Sequence, residues 1–154
     1  MELHLPMLAF CLNGYGEYIK LSIDEVFGYP DETSYGGGYG ARGNIQISIG
    51  GYQVNSQHYF TTGELFMFRQ SLSQCYKTLS GIAKLNNTES ELDLTVSFRK
   101  YGKVQITGCF QERPDLANRL EFEIESDQTC ILQVIQQLGL VEKVFGGMKG
   151  MAFK

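Results

Sequence analysis

Three glutamates near the C-terminal end of the chain form its most regular set of reactive side chains. Glu121, Glu123 and Glu125 alternate with apolar residues over 120–124, which places the three carboxylates on one face of a strand. Because neighbouring like charges repel, the pattern favours either a solvated face or a surface that meets a basic partner. A glycosidase needs two carboxylates facing each other across a cleft, and the sequence indicates no cleft. Together with two acidic residues of an earlier strand, they define a candidate partner-binding surface, the strand patch: Glu91, Asp93, Glu121, Glu123 and Glu125.

A second candidate surface combines acidic and tyrosine side chains in and beside a glycine-rich loop over 28–43. Tyrosine offers a large contact area at a low cost in conformational entropy, which is typical of recognition surfaces. The alternative is a loop that folds back on its own sheet. This second surface, the loop patch, consists of Asp24, Glu25, Tyr29, Asp31, Glu32, Tyr35 and Tyr39.

The chain has few histidine and cysteine side chains that could serve as a base, a nucleophile or a metal ligand: two histidines and four cysteines. The two histidines, His4 and His58, lie far apart in the sequence, and each is better interpreted as a surface or half-buried structural residue than as a metal ligand or a base. The four cysteines have no C-x-x-C spacing and are expected to be reduced and mostly buried. No G-x-S-x-G motif supplies a nucleophile. The sequence therefore predicts no catalytic residue, no metal and no cofactor, and hence no enzyme.

A glycine motif in the loop formally satisfies the G-x-G-x-x-A pattern over 36–41. A dinucleotide site needs this motif between a strand and a helix. Here the alternation of Ile45, Ile47 and Ile49 predicts that a strand follows, so the motif is interpreted as part of a turning loop.

Composition bounds the class of protein. The chain has 154 residues, 18 of them glycine, and a net charge of −4. This length fits one domain over 1–154, and the glycine content favours many turns and strands. The charge disfavours nucleic acid and anionic membrane as partners, whereas it suits a basic protein or serves solubility alone. We expect a soluble, cytoplasmic protein, because the N-terminus lacks a signal-peptide pattern and no apolar run reaches about 20 residues.

Hydrophobic periodicity predicts an α+β fold in which two helices pack on one face of an antiparallel β-sheet. The helices are expected at about 61–80 and 127–139. The first begins with the capping-box residues Thr61 and Glu64, and the second begins at Ser126 or Asp127 and ends near Gly139. Strands are expected at 3–12, 18–27, 45–49, 52–60, 91–99, 103–111 and 120–125, with a hairpin turn at 50–51.

Six segments, taken in order, resemble the WapI-like (wall-associated-protein) immunity family of bacterial polymorphic toxin and contact-dependent inhibition systems. The similarity extends from about residue 20 to residue 146. It rests on turn positions, on strand alternation and on a Ser-Asp-Gln helix start. The segments are 21–30, 33–39, 61–68, 79–83, 102–108 and 120–129.

The resemblance implies a cytoplasmic bacterial protein that binds and neutralises a cognate toxin C-terminal domain, which in such systems is often a basic nuclease. It supplies no catalytic residues and no transferable contact residues. Two other interpretations remain open at this point: a small-ligand-binding module or small enzyme with its site near loop 28–43, and a structural subunit of a larger assembly.

Overall fold

The computed structural model describes residues 4–87 and 91–150, which form eight strands, two α-helices and one short 3-10 turn at Lys100–Gly102. The helices are α1, Thr62–Thr78, and α2, Gln128–Phe145. The strands are β1 Met7–Asn13, β2 Tyr18–Phe27, β3 Gly40–Ile49, β4 Tyr52–Thr61, β5 Ile82–Asn86, β6 Leu92–Phe98, β7 Lys103–Phe110 and β8 Leu120–Asp127.

The strands form two antiparallel sheets of four strands each, where the sequence had suggested a single sheet. The first sheet has the order β1-β2-β3-β4 and the second the order β5-β6-β7-β8. Each sheet is a meander in which every strand pairs with its neighbour in the chain. Helix α1 separates β4 from β5 in the chain, and among the described residues the two meanders do not pair with each other. The α+β class and the antiparallel pairing are confirmed.

Both helices begin at the side-chain caps that the sequence predicts. The Thr61 hydroxyl accepts a hydrogen bond from the Glu64 amide at 3.0 Å, and the Asp127 carboxylate accepts one from the Cys130 amide at 3.0 Å. Each cap satisfies an amide that has no partner inside its helix. The chain therefore leaves β4 and β8 directly into α1 and α2 at fixed points.

One hydrophobic cluster unites both sheets and both helices. The helices pack against each other, α2 also contacts β1, and α1 also contacts β5. The inward positions of the strands are buried, which leaves the opposite face of each sheet open. None of the helices in the described part of the chain is long and apolar enough to span a membrane.

The second helix continues beyond its predicted end. Gly139 does not terminate α2, which extends to Phe145 and buries Val141 and Phe145 in the core. A Cβ atom at position 139 would lie 3.0 Å from the Arg69 guanidinium of α1, and that side chain donates to the Ile135 carbonyl at 2.9 Å. The glycine therefore makes room for an interhelical contact, and the prediction of a helix end was wrong.

Two further boundaries differ from the sequence-based expectation. The loop predicted over 28–43 is shorter, since β3 already begins at Gly40, where it pairs with Thr61 of β4. The first helix ends at Thr78, slightly before its predicted end, and Leu79 follows it in the left-handed conformation, with φ of 51°. Strand β5 was not predicted, because an alternation of five residues is too short to recognise.

Candidate partner-binding surfaces

The strand patch lies on the open face of the second sheet, along its edge strand β8. Glu121, Glu123 and Glu125 are all exposed, as the alternation predicts. Asp93 is exposed on β6 and lies level with Glu121 across the sheet. It pairs with Cys109 of β7, and Cys109 pairs with Glu121 of β8. The structure thus brings four of the five predicted residues onto one face, with β7 between the two acidic strands.

Basic and amide groups offset part of the negative charge of this face. The Arg119 guanidinium contacts the Glu121 carboxylate at 2.9 Å, and the Gln105 amide donates to the Glu123 carboxylate. Arg99 in turn donates to Gln105 at 2.5 Å. Two of the three glutamates of β8 therefore have partners: Glu121 forms an ion pair, and Glu123 ends a hydrogen-bonded chain that runs through the neutral Gln105 to Arg99.

Glu91 does not belong to this face, so its assignment to the strand patch was wrong. Its side chain is only 14% exposed, and its carboxylate lies 3.4 Å from Nδ1 of His58. The contact joins the start of β6 to β4 of the other sheet. Alternation alone could not predict it, because His58 lies 33 positions earlier in the sequence.

His58 is far more deeply buried than the sequence suggested, with 1% of its surface exposed. Burial lowers its pKa from 6.5 to about 4, because a charged imidazole would lose its hydration. The ring stacks on Phe60 and meets Phe110 edge-on. A neutral, enclosed imidazole of this kind supports the core and does not face a substrate.

The acidic members of the loop patch are exposed or half-exposed. Asp24 occupies a β-bulge in β2 and accepts a hydrogen bond from the Ser22 hydroxyl at 3.0 Å. Glu25 pairs with Arg42 on the neighbouring strand at 3.2 Å. Asp31 and Glu32 are exposed in the connection between β2 and β3. These four carboxylates belong to the first sheet and its loop, and so form a surface separate from the strand patch.

The tyrosines of the loop patch fall into two groups. Tyr39 is fully buried and donates to the Pro30 carbonyl at 2.8 Å, which removes it from any accessible contact surface. Tyr29 is half-buried and packs edge-on against both Tyr39 and Phe145 of α2. Tyr35 projects fully into solvent. In part, the loop therefore folds back on the body of the protein.

Hydrogen bonds hold the glycine-rich loop against α1 and the C-terminal turn. The Tyr39 amide donates to the Thr62 hydroxyl at 2.8 Å, and the Gly38 amide donates to the Met148 carbonyl at 2.7 Å. Gly38 has a φ of 66°, and a Cβ atom there would collide with the backbone of Gly63. The glycines thus allow a tight turn and close packing. This agrees with the interpretation of the G-x-G-x-x-A pattern as part of a turning loop.

Sequence reasoning missed an open groove of about 500 Å³ between the outer flank of α1 and β5. Three partly exposed apolar side chains line it: Met67 (50%), Ile82 (60%) and Met148 (38%). No local pattern marks the groove, because its walls come from four separate segments of the chain. Its other lining residues are Gly36, Gly63, Glu64, Ser71, Lys84 and Asn86.

The thiols show no sign of activation. All four cysteines are free; Cys75 is buried, and the other three are partly exposed, so the expectation of mostly buried thiols was only partly right. Burial raises the pKa of the thiols of Cys11, Cys75 and Cys109, which disfavours the nucleophilic thiolate. Within the described ranges 4–87 and 91–150, no cluster of histidine, cysteine and carboxylate side chains could hold a metal ion.

The two sheets and two helices define an α+β protein. The side chains that it exposes in the two patches and in the groove can contact a partner. The model of the Immunity protein WapI-like family matches residues 9–146, and the chain belongs to this family. Comparisons with curated proteins and with solved structures give no match. Membership in the family confirms the resemblance drawn from the sequence and indicates toxin immunity through binding of a toxin protein.

Proposed function

We propose that this chain neutralises a cognate toxin domain by binding it in the cytoplasm of a bacterium, and that the toxin is a nuclease. Membership in the immunity family, over residues 9–146, is the observation that carries the proposal. A non-enzymatic role agrees with the enclosed His58 and with the raised pKa values of three thiols.

A basic toxin is favoured by the charge of the chain. The protein carries a net charge of −4, and most of the carboxylates in the two patches are exposed. Nucleases bind phosphate through clustered positive charge, so their surfaces attract acidic partners. Charges of this kind at the rim of an interface mainly speed association.

The alternative, a small ligand bound near loop 28–43, has less support. The groove beside Gly36 is open, and its lining combines a few polar groups with methionine and isoleucine side chains. Ligand pockets usually enclose most of the ligand surface, whereas an open groove of this kind suits a protein segment.

Co-purification tests the proposal directly. The probe is the C-terminal domain of a large secreted protein whose gene lies next to that of this chain, produced together with a tagged copy of the chain. We expect a stable complex and survival of cells that otherwise die when the domain is expressed. Absence of binding, together with cell death at full expression of the chain, would refute the proposal.

A further inference from the structure

The four edge strands of the two sheets differ in how their outer edges are covered. At β1, the Cys11 amide donates to the Gln137 side chain of α2 at 2.8 Å. At β4, the Tyr59 carbonyl accepts from the Asn87 side chain at 3.1 Å. The edge strand β8 carries three outward glutamates, and charged residues on an edge strand discourage pairing with another chain.

Strand β5 has the least protected edge. Within the described residues 4–87 and 91–150 it pairs with β6 alone, and the Phe98 amide donates to the Gly81 carbonyl at 3.0 Å. Hydrogen-bonded and non-hydrogen-bonded pairs alternate along an antiparallel ladder. The backbone N–H and C=O groups of Ile82, Lys84 and Asn86 therefore point away from β6, towards the free edge.

The open groove runs along this same edge. Helix α1 lies beside β5 over the whole length of the strand. Cys75 approaches Gly81 at one end of β5, and at the other end the Asn87 side-chain amide donates to Glu64 at 2.8 Å. A groove between a helix and an edge strand is the arrangement in which an extended peptide can add to a sheet. The apolar side chains that line this groove would then be covered by alternate side chains of the added strand.

The geometry points to β5 as the docking edge for an extended segment of the toxin domain, which adds a fifth strand to the second sheet. This inference rests on the proposed function. The segment carries apolar side chains towards Met67 and Ile82, and a carboxylate beside Lys84. Charge complementarity places the carboxylate beside the Lys84 ammonium and away from the Glu64 carboxylate, which accepts a hydrogen bond from Asn87 at 2.8 Å and stays negatively charged.

Proline at position 84 tests the backbone contact. Lys84→Pro removes an N–H group that faces the free edge and leaves the β5–β6 ladder intact, while Lys84→Ala removes the charge and keeps the N–H group. With the toxin domain described above, we expect Lys84→Pro to weaken binding at least about tenfold more than Lys84→Ala, mainly through faster dissociation. Equal affinities of the two variants would overturn the inference.

A second pair of variants tests the groove and does not depend on how proline is tolerated. Ile82→Glu places a charge in the groove, and Leu140→Glu makes the same change on α2, where the side chain is 62% exposed compared with 60% for Ile82. We expect at least about a tenfold loss of affinity for Ile82→Glu and wild-type affinity for Leu140→Glu. Wild-type affinity of Ile82→Glu would contradict docking at β5.

Amide hydrogen exchange of the wild-type protein measures the protection of the β5 backbone without any substitution. In the free protein, the Lys84 amide should exchange faster than those of Ala83 and Leu85, and it should slow at least tenfold in the complex. A Lys84 amide that stays unprotected in a stable complex would overturn docking at β5 while leaving toxin neutralisation intact.

Failure of the wild-type chain to bind at all would instead refute the proposed function. A dimer of the free chain that Lys84→Pro dissociates would assign the edge to a second copy.

Discussion

Single residues in this protein are constrained most where the two sheets meet. The imidazole of His58 is enclosed by two phenylalanine rings and by the Glu91 carboxylate at 3.4 Å. Burial disfavours the charged imidazole because it removes hydration from the ion, and the lowered pKa shows that this effect outweighs the attraction of the Glu91 carboxylate. The residue therefore couples the stability of the fold to pH.

Stability should fall as the pH decreases from about 6.5 to about 4. Because burial lowers the pKa of His58 to about 4 in the folded protein, the unfolded chain binds this proton first, and acid favours unfolding. The full effect is about 3 kcal/mol in the free energy of unfolding. Urea unfolding at several pH values checks it. His58→Gln should flatten the dependence of the unfolding free energy on pH, and an unchanged dependence in this variant would contradict the expectation.

Gly43 is a second constrained residue, in the middle of β3. A Cβ atom at this position would collide with the Ser22 carbonyl of β2, and backbone cannot move aside as a flexible side chain can. Gly43→Ala should therefore destabilise the protein by about 1–3 kcal/mol, as overpacking does. Gly51→Ala is the matched control, since its Cβ atom would meet open space. Equal midpoints of thermal unfolding for the two variants would contradict the expectation.

At the scale of elements, α1 is the component that both sheets need. It follows β4 directly, packs on α2 and lies beside β5, so it connects the first sheet with the second helix and the second sheet. Leu72 is fully buried on that face, whereas Gln70 lies on the exposed side. The helix also forms one wall of the groove.

Leu72→Ala should cost about 2–5 kcal/mol of unfolding free energy, as for other buried leucines. The lost contacts and the cavity left behind both contribute. Gln70→Ala should change the stability by less than about 0.5 kcal/mol, because alanine suits an exposed helix position. Chemical unfolding of both variants measures the difference, and a Leu72→Ala protein as stable as the wild type would show that α1 is not part of the core.

On the scale of the whole molecule, the proposed function assigns different roles to charge and to shape. We expect the exposed carboxylates of the two patches to attract a basic partner over a distance, with screening over about 8–10 Å in salt. The groove and the edge of β5, in the proposed complex, act only in direct contact. Variants of the patches should therefore change the association rate, and variants of β5 the dissociation rate.

Charge reversal separates these contributions. Changing the three glutamates of β8 to lysine should lower the rate of association with the toxin and weaken its dependence on salt, while the fold stays intact. A parallel variant with Asp31 and Glu32 reversed tests the loop patch in the same way. Stopped-flow or surface-binding kinetics at two salt concentrations provide the measurement. Wild-type rates and salt dependence in both variants would show that neither patch steers the partner.

Local sequence determined the elements of this protein and their class. Alternation placed β2 and the inward and outward faces of β8, and side-chain caps fixed the starts of α1 and α2, because these features depend on residues within a few positions of one another. The order of these signals along the chain also indicated the family. Sequence alone, however, could not recognise the short strand β5 or the continuation of α2 through Gly139.

Only the tertiary structure decided which of these residues reach the surface together. It divided the strands into two sheets, enclosed Tyr39 under the loop and turned Glu91 inwards to His58. It also covered β1 with Gln137 and left β5 open beside a groove. Each of these outcomes depends on contacts between residues far apart in the chain, whose free energy is gained only when the elements pack, so no local pattern encodes them.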